Sequence, residues 1–212
     1  MPWEKAFDID EAIDKATEVF WKKGYEATSM ADLIEAMRIN KGSLYNAFGS
    51  KQALFDRALS RYDQKNRATF LAKLRQMPDS RAAITAFFDG LIEEARGDPR
   101  NLGCFVVNTA QDLPNQPPEV AKIIKNSLDD IELFFREMID RGKEDGEIAP
   151  DVNTTATAQA LLSMVVGLRL LSRGAAGVPA LESIRDGALL LVPTPKQTAQ
   201  PEGRALARFD VD

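Results

Sequence analysis

The chain has 212 residues, enough for one mid-sized domain or a small domain fused to a larger one, with an ample core and no need of a covalent staple. It holds one cysteine, Cys104, and no histidine, which excludes an intrachain disulfide, a His-ligated zinc, a Ser-His-Asp triad and the thiol-imidazole pair of a cysteine protease. The net charge of −5 argues on its face against a nucleic-acid partner, yet residues 1–75 carry 13 Lys/Arg against 11 Asp/Glu, a net of +2, and the remainder carries −7. A DNA-binding head on an acidic body would show this asymmetry, and so would scattered solvated charge. Charges run through Met1 to Asp14, no run of about 18 uncharged apolar residues occurs, and the lone cysteine fits a reducing compartment, so the chain reads as soluble and cytoplasmic, with no membrane partner.

Apolar residues recur at helical spacing almost throughout and nowhere alternate with period two for long, so the fold is expected to be all-α. Ile9, Ala12, Ile13, Ala16, Val19 and Phe20 line one face of a first helix that Gly24 ends. Thr28 and Ser29 offer capping hydroxyls, with Asp32 completing a capping-box arrangement, for a short second helix whose buried face is Met30, Leu33, Ile34 and Met37. Arg38-Ile39-Asn40 then turns into a third short helix, Lys41 to Phe48, and Ser50 caps a fourth that carries Leu54, Phe55, Ala58, Leu59 and Tyr62. Longer helices follow: a stripe from Ile84 to Ala95 ended around Gly97-Asp98-Pro99, a shorter run from Cys104 to Leu113, an amphipathic helix from about Glu119 to Lys143, and two last helices over Asp151 to Arg173 and Pro179 to Val192. From Pro193 onward a polar, proline-bearing tail is expected, poorly ordered or docked only by Leu206 and Phe209.

Residues 28–51 carry the functional signal. Two short helices joined by three residues bury little between themselves, so the first helix must brace them into a three-helix head. Leu44 and Phe48, four apart, point to its core, which is expected to turn Lys41, Ser43, Tyr45 and Asn46 outward as donors and acceptors for phosphates and base edges. The strings Gly24-Tyr25, Thr28-Ser29, Gly42-Ser43-Leu44-Tyr45, Phe48 and Ser50-Lys51 resemble the DNA-binding domain of the tetracycline-repressor family over about the first 60 residues. The resemblance implies phosphate contacts for Thr28, Ser29, Tyr45 and Lys51, and base reading for Lys41, Gly42, Ser43 and Asn46. The bland roles are half-buried packing for Tyr45 and helix capping for Ser43. Asn46 stands where the family often has histidine, so its base preference is not inherited. One short helix reads few base pairs, so a two-fold homodimer on a pseudo-palindromic double-stranded operator is expected.

In the second half, Gly103-Cys104-Phe105-Val106-Val107-Asn108 resembles a branch of that family with a Gly-Cys-x-x-x-Asn string, some members of which respond to electrophilic or oxidising molecules. Cys104 is expected in the first turn of its helix, either as a usable nucleophile or as an inert core thiol. A mostly apolar effector pocket is expected to be lined by Phe87, Phe88, Phe105 and Phe135, which are equally the stuff of an ordinary core. The last two helices resemble the family's dimer bundle, with Ala156, Ala160, Ser163, Gly167 and Gly174 among the small residues that permit close approach. The expected organisation is a helix-turn-helix DNA-binding domain over 1–50, a helical effector-binding and dimerisation domain over 51–192, and a tail over 193–212. Neither a phosphate-cradling loop nor a nucleophile-base pair occurs, so an enzyme is not expected, nor any cofactor. Asp129, Asp130 and Glu132 diverge around a helix and read as a solvated face, not a metal cluster. A purely structural helical module would explain the periodicity but not the Lys41 to Lys51 string.

Overall fold

A computed structural model describes residues 7–195, so Leu206 and Phe209 lie outside it. The described residues form ten α-helices and no strand: α1 (Ile9–Lys23), α2 (Met30–Met37), α3 (Lys41–Phe48), α4 (Lys51–Asp63), α5 (Thr69–Arg75), α6 (Ser80–Arg96), α7 (Phe105–Ala110), α8 (Pro118–Glu144), α9 (Thr154–Leu171) and α10 (Val178–Leu190). Local chemistry sets most boundaries. Asp8 caps α1, whose C-terminus closes on Gly24 at φ +79°, a backbone state that only glycine adopts without strain. Ser29 and Asp32 form a reciprocal capping box on α2, Asn40 caps α3 and Ser50 caps α4, so each helix of the head starts on a side chain that satisfies an orphan amide. Lys23 and the Ser29 amide and hydroxyl hold the Asp32 carboxyl down at about 2, from an ordinary 3.8. The box is therefore complete above pH 3.8 and is lost only as the pH falls toward 2.

Two apolar cores result. The first gathers Ala16 and Phe20 of α1, Leu33 of α2, Leu44 of α3 and Leu54, Phe55 and Ala58 of α4, and it runs on without a break into Phe105 and Val106 of α7 and Val120 and Ile124 of α8. No gap in packing falls at residue 50: α4 belongs to the head's core and carries the chain into the body. The second core lies among α6, α8, α9 and α10, centred on Phe87, Phe88, Phe134 and Phe135.

Between α4 and α5 the helix passes through a π-helical turn, Gln64–Ala68, which the periodicity did not reveal. A π turn shifts the register of the amide ladder and loosens carbonyls. Here Asn66 Nδ2 donates to the Tyr62 carbonyl at 2.9 Å. Arg67 grips the buried Asp63 through Nε (2.9 Å) and Nη2 (2.7 Å), Ser127 Oγ donates to the same carboxylate at 2.7 Å, and Asp130 takes the third guanidinium nitrogen. This network fixes the turn against α8, at the edge of a cavity in the body.

Candidate functional site

The reading head presents α3. Lys41, Gly42, Tyr45 and Asn46 are exposed along one side, while Leu44 and Phe48 are buried beneath them. Ser43 departs from expectation: it is 7% exposed, on the flank that α3 buries, and its amide donates to Asn40 Oδ1 at 2.8 Å. Asn40 rather than Ser43 therefore caps the helix. Thr28 is also corrected. It is 1% exposed and its hydroxyl donates to the Gly24 carbonyl at 2.6 Å, so it locks the turn after α1 and does not face outward. Ser29 is exposed, with its hydroxyl shared with Asp32.

Lys51, in the first turn of α4, sets its ammonium 4.2 Å from the centre of the Tyr25 ring, which packs in turn on Phe20 and Phe55. The aromatic face holds the cation without neutralising it. Arg38, which the motif did not single out, closes α2 in the left-handed region at φ +54° and stands exposed between α2 and α3. Together these groups give a surface of donors, and Asp32 beside it is already paired with Lys23 at 2.6 Å.

The body encloses a cavity of 310 Å³ between the π turn, α5, α6, α7, α8 and α9. Of the four aromatics expected to line it, only Phe87 does. Phe88 and Phe135 are wholly buried against each other and Phe87, and are core. Phe105 is 2% exposed and joins Trp21, Phe55 and Tyr62 in an aromatic cluster between head and body, with ring centres 5.6 to 6.5 Å away. The apolar lining comes instead from residues such as Phe70, Leu91, Val107 and Val165, and the polar lining includes Tyr62 and Arg169.

Cys104 is half-buried on the cavity wall. It is the residue that precedes α7, with extended backbone at φ −105°, not a member of the first turn as expected. The surrounding string has a structural account. Gly103 sits at φ +67°, and a Cβ there would come within 2.5 Å of Arg173 Cγ and 3.2 Å of the Arg169 carbonyl. Asn108 Nδ2 donates back to the Leu102 carbonyl at 2.8 Å, and Trp21 Nε1 of the head donates to the same oxygen at 3.1 Å. Glycine and asparagine thus hold a strap that ties α1 to the cavity wall.

Known proteins agree with this architecture. Residues 12–58 match the model of the bacterial regulatory proteins of the tetR family, and residues 81–186 match a tetracyclin repressor-like C-terminal domain. The HTH-type transcriptional repressor ComR of Escherichia coli (strain K12) is 31% identical over 190 residues, 89% of this chain and 90% of that one. The uncharacterized regulator YezE of Bacillus subtilis (strain 168) is 28% identical, over 87% of this chain and 96% of its own. Among solved structures, a cysteine mutant of the TetR family regulator CifR bound to a 26-bp double-strand operator superposes with a TM-score of 0.76 at 31% identity, covering 89% of this chain and 98% of that one. Sequence, fold and exposed α3 converge: the chain belongs to the tetR family of bacterial transcriptional regulators.

Proposed function

We propose that the protein is a cytoplasmic repressor which, as a two-fold dimer, holds a pseudo-palindromic operator and lets it go when a small organic effector occupies the cavity of the body. The observation that carries the reading is the exposed side of α3, where Lys41, Gly42, Tyr45 and Asn46 stand clear of the core above a well-capped head. Ser29, Arg38 and Lys51 flank it for phosphate contacts. Selection of bound duplexes from a random pool by the purified protein tests this. Two half-sites about one helical turn apart, or a multiple of it, are expected. Asn46→Ala is expected to lose about 1–3 kcal/mol of discrimination at one base position, and Lys51→Ala to weaken all sequences alike and lower the salt slope by about one. Uniform weakening by both would assign Asn46 to the backbone instead.

Dimerisation is supported by α9 and α10. The helix α9 has the length and mean hydropathy (1.3) of a membrane span, yet buries only Ala158, Leu161, Val165 and Leu168 within the chain. Leu170 of α9 and Leu190 of α10 remain 44% and 79% exposed. In this family setting a second copy is the cover that fits. Leu190→Glu is expected to shift the sedimenting species from dimer to monomer and to cost operator affinity. An unchanged dimer would take α10 out of the interface.

Coupling of effector to operator needs a path, and the strap supplies one: Cys104 borders the cavity, and Leu102, two residues before it, holds Trp21 of α1. An effector that occupies the cavity acts only if it binds the released state more tightly. A second reading, favoured by the place of Cys104 on the cavity wall, is that an electrophile admitted there alkylates the thiol. Release by a maleimide that persists in Cys104→Ser, or a native thiol that resists alkylation, would return Cys104 to plain packing.

A further inference from the structure

Arg169 is the one charged residue of α9, and its side chain is only 15% exposed. A guanidinium cannot shed its charge to escape burial, so its surroundings must supply acceptors. Nη2 donates to Glu94 Oε2 at 2.8 Å, while Nε and Nη1 find no acceptor among the described residues. Glu94 is 47% exposed, so water screens the one carboxylate that offsets the charge. Burial opposes the charged form, but the hydrogen bond and charge of Glu94 work against it and the Arg169 pKa lies above its ordinary value, so the cation persists at the wall. Beside it, burial above all raises the Tyr62 pKa, which keeps that hydroxyl a donor.

The rest of the lining points the same way. The other acid, Asp63, is consumed by Arg67 and Ser127. Lys73 has no carboxylate within 4 Å among the described residues, and Lys65 reaches Asp14 only at 3.7 Å. The cavity is thus apolar over most of its wall, with an excess of cations and an under-used guanidinium at one end. Its 310 Å³ leaves room for an apolar body of about a dozen non-hydrogen atoms.

We propose that the effector cavity takes a small monocarboxylate with an apolar body, its carboxylate seated on Arg169 and the Tyr62 hydroxyl. The proposal rests on the cavity being the effector site. Glu94 takes a single N–H of Nη2, so the flat guanidinium still offers one fork, from the second Nη2 N–H together with Nε or Nη1, and that fork suits the two oxygens of a carboxylate better than a neutral carbonyl.

The test uses the full chain, with naphthoate and its uncharged counterpart naphthamide as probes in titration calorimetry. Naphthoate is expected to bind about tenfold or more tightly than naphthamide, the effect of a charge-assisted hydrogen-bonded pair. Arg169→Gln is expected to erase that preference, Arg169→Lys to keep part of it, and Tyr62→Phe to weaken naphthoate several-fold while sparing naphthamide. If Arg169→Gln fails to fold, Arg169→Lys and Tyr62→Phe carry the comparison. Equal binding of the two probes to the wild type, binding of neither, or a preference that survives Arg169→Gln would overturn the proposal. Naphthoate binding that depends on Arg169 yet leaves operator affinity unchanged would uphold the carboxylate seat and sink effector-driven release, so the two claims fail separately.

Discussion

Phe88→Ala is expected to lose about 3–5 kcal/mol of folding stability, read as a lower midpoint with an unchanged slope in urea unfolding. Phe88 has no exposed surface and packs with ring centres 6.0 Å from Phe87 and 6.1 Å from Phe135. Truncation therefore leaves a void that neighbours on rigid helices cannot fill. Phe87 differs in one respect. It packs on Phe70, Phe134 and Phe135 at 4.9 to 5.6 Å but also borders the cavity. Phe87→Leu keeps most of the apolar volume, so it is expected to cost under about 1.5 kcal/mol while changing effector affinity. If Phe88→Ala left stability near wild type and altered only effector response, the ring would line the site after all.

The head was legible because its determinants are local. Caps, a glycine stop and a four-residue apolar spacing each act within one or two turns, and Ser29-Asp32, Ser50 and Gly24 do in the structure what their types and positions imply. Thr28 and Ser43 misled because a hydroxyl carries no sign of which way it faces; neighbours in space, the Gly24 carbonyl for Thr28, decide it. The cavity was illegible for a related reason. Five segments far apart in sequence build it, and an aromatic at helical spacing looks alike in a core and on a pocket wall, so Phe88, Phe105 and Phe135 could not be told from Phe87. The π turn left no periodic trace, since its five residues, Gln64–Ala68, bury no side chain. One signal was present and passed over: a single arginine, Arg169, in an eighteen-residue helix otherwise free of charge. Such a residue needs a partner, and looking for it leads to the cavity.

Gly103→Ala is expected to cost about 2–4 kcal/mol and to loosen the head from the body, because two penalties fall on one atom. The first is the backbone state, φ +67°, which a Cβ strains. The second is space. Arg173 Cγ, 2.5 Å from the new carbon, can swing away, but the Arg169 carbonyl at 3.2 Å belongs to helix α9 and cannot. The strap has to shift instead, and little in it is free to do so. Asp98 Oδ2 accepts the Leu102 amide at 2.5 Å and the Gly103 amide at 3.3 Å, and the Leu102 carbonyl holds Asn108 and Trp21. Displacing that carbonyl releases the Trp21 indole, so a red shift in tryptophan emission is expected with the loss of stability. Trp21→Phe serves as the control: it removes the one hydrogen bond and leaves the strap intact, at about 0.5–1.5 kcal/mol. A Gly103→Ala protein as stable as the wild type would show that the strap bends freely. In that case Trp21 could not carry a signal from the cavity to α1, and operator release would need another route.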